Sequence, residues 1–229
     1  SSLKGEIKNK KNKLFKIGMN TVDAKKALID LNKLLSSFEG SWFVISGTFL
    51  GFVREKSFLS HDLDLDIGIN EGTLSLNQFL DKIKEDSNFK ISRIEYQKEY
   101  FKNKKFIKRP AFVRIIHTNG INVDLFWHFK SRGKTYHGTS SIKWENTEFA
   151  LSNYKVYGLL ITGPKEGDHY LTETYGDWKK KKIDYNYHRD MLSLRGANNY
   201  LGIEYLLRSN FFCGRTSEIQ LNYLENLLL

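Results

Sequence analysis

Three aspartates, Asp62, Asp64 and Asp66, alternate with Leu63, Leu65 and Ile67, so an extended backbone puts the carboxylates on one face and the aliphatic side chains on the other. Carboxylates two residues apart on a strand lie roughly 7 Å from each other and repel by about 2 kcal/mol at an effective dielectric of about 20, and aspartate is a poor strand former besides. A cation is needed to offset that cost. Oxygen donors with no paired His or Cys nearby suit a hard divalent ion, Mg2+ or Mn2+. The alternation alone also fits the solvated face of an edge strand, but the residues upstream favour a metal. Trp42 to Ile45 is a short apolar run closed by Ser46-Gly47-Thr48 and followed by a helix expected from Phe49 to about Glu55. Strand, Gly-Thr turn and helix start together make a phosphate seat of free backbone N–H groups, a hydroxyl and the positive end of a helix dipole. Seat and carboxylates form the two halves of a metal-assisted phosphoryl-transfer site.

Gly47-Thr48, Leu50-Gly51, Arg54, Phe58-Leu59 and the run Asp62-x-Asp64-x-Asp66-Ile67-Gly68 resemble the signature of the LicD/fukutin family of the nucleotidyltransferase superfamily, written G-[ST]-x-L-G-x-x-R and then W-D-x-D-x-D-[IL]-G. His61 stands here where many members have Trp, and Leu63 where bacterial members often have Asp. Far downstream, Tyr175-Gly176-Asp177-Trp178-Lys179 is similar to the family's Y-G-x-W-K segment. The resemblance implies an α/β (α+β) fold, a nucleotidyltransferase-like mixed sheet flanked by helices. Across the superfamily a third carboxylate arrives from a strand beside the aspartate pair, and Asp124, isolated in the apolar run Ile121 to Phe126, is the residue the sequence supplies for it. Asp64 and Asp66 then hold Mg2+ or Mn2+, with Asp124 completing the site. Asp124 is the first choice and Asp62 the second for taking the proton of an acceptor hydroxyl.

Ser46, Gly47 and Thr48 seat the transferring phosphate, and Arg54 neutralises charge developing on it, although Arg54 also fits an exposed helix position. Tyr175, Trp178 and Lys179 close over the nucleotide or acceptor; Tyr175 and Trp178 equally fit a plug between the sheet and C-terminal helices. His61 adjoins the aspartates and suits either substrate contact or the surface. The activity implied by the resemblance is transfer of a phospho-alcohol group, polyol phosphate or phosphocholine, from a CDP-activated donor to a hydroxyl of a cell-surface glycan in capsule, lipopolysaccharide or teichoic acid, with release of CMP. The same residues also suit a nucleotidyltransferase that attacks the α-phosphate of a nucleoside triphosphate and releases pyrophosphate. A non-enzymatic reading, RNA binding, rests on the stretch from Lys98 to Arg109 interleaved with Tyr100, Phe101 and Phe106.

Elements that position these residues follow from periodicity. Ala24, Ala27, Leu28, Leu31, Leu34, Leu35 and Phe38 mark a helix capped by Asn20 or Thr21 and ending near Gly40. Leu76, Phe79, Leu80 and Ile83 mark a second, from Leu74 to Asp86. Phe89 to Glu95 reads as a strand, and Ala111 to His117 with Ile121 to Phe129 reads as a hairpin across Asn119-Gly120. A short hairpin is expected within Lys134 to Trp144, one strand from Tyr154 to Ile161, a helix from Lys165 to about Tyr175, a loop from Asp184 to Arg189, and closing helices at Asn199 to Leu207 and Thr216 to Leu228. Gly133-Lys134-Thr135 mimics the end of a P-loop, but His128 stands where that motif needs Gly.

The 229 residues accommodate a basic lead-in (1–19), a catalytic core (20–163) and a mainly helical C-terminal part (164–229). A net charge of +10 suits anionic partners: nucleotide phosphates, a phosphate-bearing glycan or an anionic membrane face, with nucleic acid the least favoured. The single cysteine, Cys213, excludes an internal disulfide framework and a Cys-rich zinc site. No apolar window reaches the length of a membrane span, and the Lys-rich start lacks the apolar stretch of a signal peptide. The expectation is a cytoplasmic protein working near the inner membrane face, its Ser-Ser start and Leu-Leu-Leu end suggesting a piece of a longer chain.

Overall fold

Asn20 opens the first helix by accepting the N–H groups of Val22 and Asp23 on its side-chain oxygen, at 2.8 and 3.3 Å, which satisfies two donors the helix itself leaves unpaired. The computed structural model describes residues 18–38, 41–100, 106–182 and 185–197. Helix α1 (Thr21–Leu34) buries Ala24, Ala27, Leu28 and Leu31. Strand β1 (Trp42–Val44) leads into helix α2 (Ser46–Leu50), which runs on through a π turn at Gly51–Glu55. The helix therefore starts at Ser46, three residues before the expected Phe49. Strand β2 (Asp64–Asn70) and helix α3 (Leu76–Glu85) follow, the helix opened by a capping box in which Ser75 and Gln78 satisfy each other's backbone donors.

Strands β3 (Phe89–Tyr100), β4 (Phe106–His117) and β5 (Asn122–Ser131) come next. The expected β4–β5 hairpin forms, closed by the His117 N–H on the Ile121 carbonyl, with Gly120 at φ +92° where a side chain would be strained. Strands β6 (Lys134–Gly138) and β7 (Ile142–Thr147) make the short hairpin. Arg132 and Gly133, at φ +50° and +72°, turn β5 into β6, so the P-loop mimic is a hairpin turn.

The single strand expected from Tyr154 to Ile161 is instead a hairpin, β8 (Leu151–Val156) and β9 (Leu159–Pro164). Tyr157 and Gly158, at φ +52° and +80°, reverse the chain in the middle of the apolar run. Helix α4 (Gly167–Tyr175), a short helix α5 (Tyr187–Asp190) inside the expected loop, and strand β10 (Leu194–Ala197) complete the described chain. The basic lead-in up to residue 17, Cys213 and the two closing helices lie outside the described residues.

The architecture is mixed α/β. One sheet has the order β1-β2-β5-β4-β3, with β2 and β5 parallel and the other neighbours antiparallel. Strand β5 then continues past the reach of β2 and β4 and pairs with β6, which leads to β7 and β10. On one face, Leu65, Ile67, Val123, Leu125 and Trp127 are buried; there Trp127 donates its indole N–H to the Leu74 carbonyl at 3.1 Å and meets Phe79 edge-on. Strand alternation sends Asp64, Asp66 and Asp124 to the other face.

Candidate active site

The parallel register of β2 and β5 pairs Asp66 with Asp124, and the antiparallel register of β4 and β5 pairs Asp124 with Arg114. Three neighbouring strands thus put two carboxylates and a guanidinium in one row. Arg114 donates Nε and one terminal nitrogen to the two oxygens of Asp124, both at 2.6 Å, and the same terminal nitrogen to Asp64 at 3.1 Å. Such a fork is stronger than a single charged hydrogen bond and fixes both carboxylates in orientation. The aspartate spacing demands a cation, and Arg114, fifty residues downstream of Asp64, is one that the spacing does not point to.

Gly47 brings the upstream turn down onto the cluster. Its N–H donates to Asp66 Oδ2 at 3.0 Å, and the Thr48 hydroxyl accepts the Asp66 N–H at 2.8 Å. A Cβ at Gly47 would lie 2.6 Å from Asp62 Oδ2 and 3.3 Å from Asp66 Oδ2, so glycine is required by close approach rather than by φ. Ser46 is held at φ +47°, a strained value for serine, and its N–H reaches the buried Tyr170 hydroxyl at 3.3 Å. Two N–H groups expected to be free for phosphate are therefore already engaged, and Thr48 is buried.

Asp62 differs from the expectation of three acids on one strand. Strand β2 begins at Asp64, because Phe58 and Leu59 turn inward to the core and the Asp62 N–H and carbonyl pair with Leu59 and Met19. Its carboxylate still points to the cluster, with Oδ2 buried and lacking a hydrogen-bond partner. Burial, reinforced by the nearby Asp64 charge, pushes the Asp62 carboxyl up to about 7. Burial and the Asp64 and Asp62 charges hold Asp66 well above the usual carboxylate range. Burial also raises Asp124, against the pull of Arg114.

These groups form the floor of a cavity of about 1650 Å³, larger than the usual space of a single small ligand. Ser46, Gly47, Arg54 and His61 line it from the α2 side, and Tyr175, Trp178, Lys180, Lys181 and Lys182 from the α4 side. Arg54 is mostly buried and donates to the Trp178 carbonyl at 2.9 Å and to Glu55 at 2.9 Å; Lys181 meets the other Glu55 oxygen at 3.2 Å. The helix after the Gly-Thr turn is thereby tied to the Tyr-Gly-Asp-Trp segment. Lys179 turns away, paired with Asp168 at 2.9 Å, while the next three lysines face the cavity. Tyr175, next to Tyr185, is held well above the usual tyrosine range by burial and by Tyr185 and the aspartates.

Among the described residues, eight acids line the cavity, Glu55, Asp62, Asp64, Asp66, Glu95, Asp124, Asp177 and Asp190, against six cations, Arg54, Arg93, Arg114 and Lys180 to Lys182. The raised carboxyls and the orphaned Asp62 oxygen are consistent with that shortage of positive charge. An all-oxygen set of this kind suits a hard divalent ion. Among the described residues no group of three or more His, Cys, Asp or Glu is arranged to hold a metal; Arg114 lies between Asp64 and Asp124.

The chain matches the family model LicD/FKTN/FKRP, nucleotidyltransferase domain, over residues 40–159, more than half of its length. It belongs to this family. The match contains the Gly-Thr turn, all four aspartates and Arg114. Two relatives are the uncharacterized protein RP689 of Rickettsia prowazekii (strain Madrid E), 28% identical over 180 residues, 73% of this chain and 61% of the relative, and the uncharacterized protein RT0683 of Rickettsia typhi (strain ATCC VR-144 / Wilmington), 27% identical over 165 residues, 69% of this chain and 47% of the relative. The chain spans less than two thirds of either relative's length. Among solved structures it is similar to the lincomycin-bound lincosamide antibiotic adenylyltransferase LnuA, at 11% identity and a TM-score of 0.41, over 64% of this chain and 84% of that one. No described helix is long and apolar enough to cross a membrane.

Proposed function

We propose that this LicD-family chain moves a phospho-alcohol group, polyol phosphate or phosphocholine, from a CDP-activated donor to a hydroxyl of a surface glycan and releases CMP. The observation that carries this reading is the pairing of Asp66 with Asp124 on adjacent parallel strands beneath the Gly47 turn, in the floor of a cavity with room for two substrates. Asp64 and Asp66, with Asp124, would hold Mg2+ or Mn2+, which when bound offsets the carboxylate charge and lowers the pKa of an acceptor hydroxyl.

The chain's own groups divide the remaining work. Lys180, Lys181 and Lys182, paired in the free chain with Asp177, Glu55 and Asp190, exchange those partners for the donor's diphosphate on the α4 side, and Arg54, anchored on Trp178, sets the spacing between that segment and the Gly47 turn. Arg114 keeps Asp124 and Asp64 in register and supplies positive charge where phosphate charge develops. Both Asp124 oxygens accept from Arg114, whereas Asp62 Oδ2 has no hydrogen-bond partner, so Asp62 is better suited than Asp124 to take the hydroxyl proton. This reverses the order expected from sequence.

Mass spectrometry of the protein incubated with Mg2+, a panel of CDP-alcohols and candidate glycans tests the reading. CMP together with a mass-shifted glycan supports it. Pyrophosphate released from a nucleoside triphosphate, with no CMP from any CDP-alcohol, supports the nucleotidyltransferase instead. RNA binding has weaker support, because Lys108 of the basic stretch lies over the Tyr96 ring at 4.0 Å and Arg109 over that of Phe129 at 5.0 Å, which occupies those cations within the sheet.

A further inference from the structure

The cavity does not end at the aspartates. Phe126 follows Asp124 by two residues on the same face of β5, a step of roughly 7 Å, and begins an aromatic wall. The Phe126 ring meets His137 edge-on at 5.5 Å and Trp144 edge-on at 6.0 Å, and His137 stacks on Trp144 at 5.3 Å with 19° between planes. All three are more than nine-tenths buried and line the cavity. The Trp144 indole N–H is buried without a partner, an arrangement native proteins seldom tolerate. Indole nitrogen only donates, so the missing partner is an acceptor oxygen.

Charge at this end is balanced. Arg93 and Glu95 pair with each other at 2.5 Å, Glu95 also accepts the Ser140 N–H and hydroxyl at 2.8 and 2.7 Å, and burial keeps His137 neutral. The opposite end carries Arg54 and the lysines.

We propose that the wall of Phe126, His137 and Trp144 is the acceptor subsite, and that it takes a neutral sugar ring whose C–H groups pack against Phe126 and Trp144, with His137 stacked between Trp144 and His128 behind them, and whose hydroxyl or ring oxygen accepts the Trp144 N–H. The inference rests on the transferase reading for the word acceptor, but the site itself does not. An apolar platform with one unsatisfied donor and no net charge matches a pyranose or furanose, and does not match a diphosphate. Its place, one side-chain step from Asp124, brings a sugar hydroxyl beside the carboxylates from the side away from the lysines.

The test uses the full chain, with CMP as probe of the donor side and a panel of neutral methyl glycosides as probe of the acceptor side. Binding is read by saturation-transfer NMR and intrinsic fluorescence. Trp144→Phe keeps one aromatic ring and removes the unpaired N–H together with the second ring of the indole, so at this buried position its melting temperature should fall by a few degrees; Trp144→Leu removes the platform, and retained CMP affinity reports that each variant is folded. A glycoside should bind wild type through its C–H protons, weaken about tenfold in Trp144→Phe and vanish in Trp144→Leu, with CMP affinity unchanged within twofold in both. Glycoside binding indifferent to both variants, absence of binding by every glycoside, or weakened CMP instead would overturn the proposal; weakened CMP would assign the wall to the nucleobase. Failure of wild type to bind CMP, with glycoside binding still dependent on Trp144, would sink the CDP-donor reading and leave the sugar site standing.

Discussion

Replacing Arg114 with Met removes the fixed cation of the carboxylate row while keeping most of the side chain's apolar length. Asp124, only 6% exposed, would lose both 2.6 Å hydrogen bonds and remain as a buried charge. Breaking a buried pair from one side costs about 3–5 kcal/mol, and the lower end applies because Arg114 is a third exposed. For a chain of this size each kcal/mol lowers the melting temperature by about 2–4 °C, so a loss of about 6–12 °C is expected at neutral pH. The sign of the pH dependence follows from the carboxyl. Burial already raises Asp124, and without Arg114 the group rises further; an acid raised above its unfolded value stabilises the fold at low pH and loses that contribution as pH rises. The deficit of Arg114→Met should therefore shrink as pH falls from 7.5 to about 5.5. Millimolar Mn2+ or Mg2+ should restore part of it at pH 7.5 by supplying charge to Asp64 and Asp124. Differential scanning fluorimetry with and without the ion measures all of this. A variant that melts with wild type, or whose deficit ignores both pH and divalent ion, refutes the view of Arg114 as the resident counter-charge.

Asp62, raised to about 7 in the fold, stabilises the metal-free wild type at low pH and loses that contribution between about pH 4, where the unfolded carboxyl ionises, and about pH 7, with no further loss above about pH 8; Asp62→Asn should lack this slope, and a wild-type curve parallel to that of Asp62→Asn between about pH 5 and 7 contradicts the assignment. Below pH 6.5 the buried neutral His128, pushed down to about 4, and His137 oppose any further gain, because a depressed histidine destabilises the fold as pH falls. Gly47→Ala forces Asp62 Oδ2, 2.6 Å from the new Cβ, to move by nearly 1 Å, so turnover should fall on the order of 100-fold while melting changes by a few degrees; a fully active variant would remove the close approach from the account. Chelation should silence CMP release and Mg2+ or Mn2+ restore it, and release unaffected by chelator would exclude the ion.

Much of the site was legible because its parts are local in sequence. Asn20 as cap, the apolar stripe of α1, the β4–β5 hairpin and the aspartate spacing each follow from a short pattern, and parallel pairing of β2 with β5 brings Asp124 to Asp66. Arg114 is not legible although the hairpin contains it: a two-residue turn at Asn119-Gly120 would set Ile115 opposite Asp124, and only the longer turn, in which His117 pairs with Ile121, shifts the register by one and brings Arg114 there. The apolar residues on both sides of Tyr157-Gly158 give the pattern of one continuous strand, and only Gly158 signals the turn. The aromatic wall was not legible at all, since Phe126, His137 and Trp144 come from three strands and meet only through the register of β5, β6 and β7. Lys179 carried the motif, yet its neighbours face the cavity, because the turn after Trp178 directs Lys179 to Asp168.

On the proposed function, the aspartate row under the Gly47 turn works on a CDP-activated donor. Quantifying CMP by liquid chromatography after incubation with Mg2+, the panel of CDP-alcohols and glycan tests it most directly, with Asp66→Asn run in parallel. Wild type should release CMP from at least one CDP-alcohol, and Asp66→Asn should fall to background while melting no lower than wild type. CMP release that persists in Asp66→Asn, or pyrophosphate from a nucleoside triphosphate with no CMP from any CDP-alcohol, would contradict the claim.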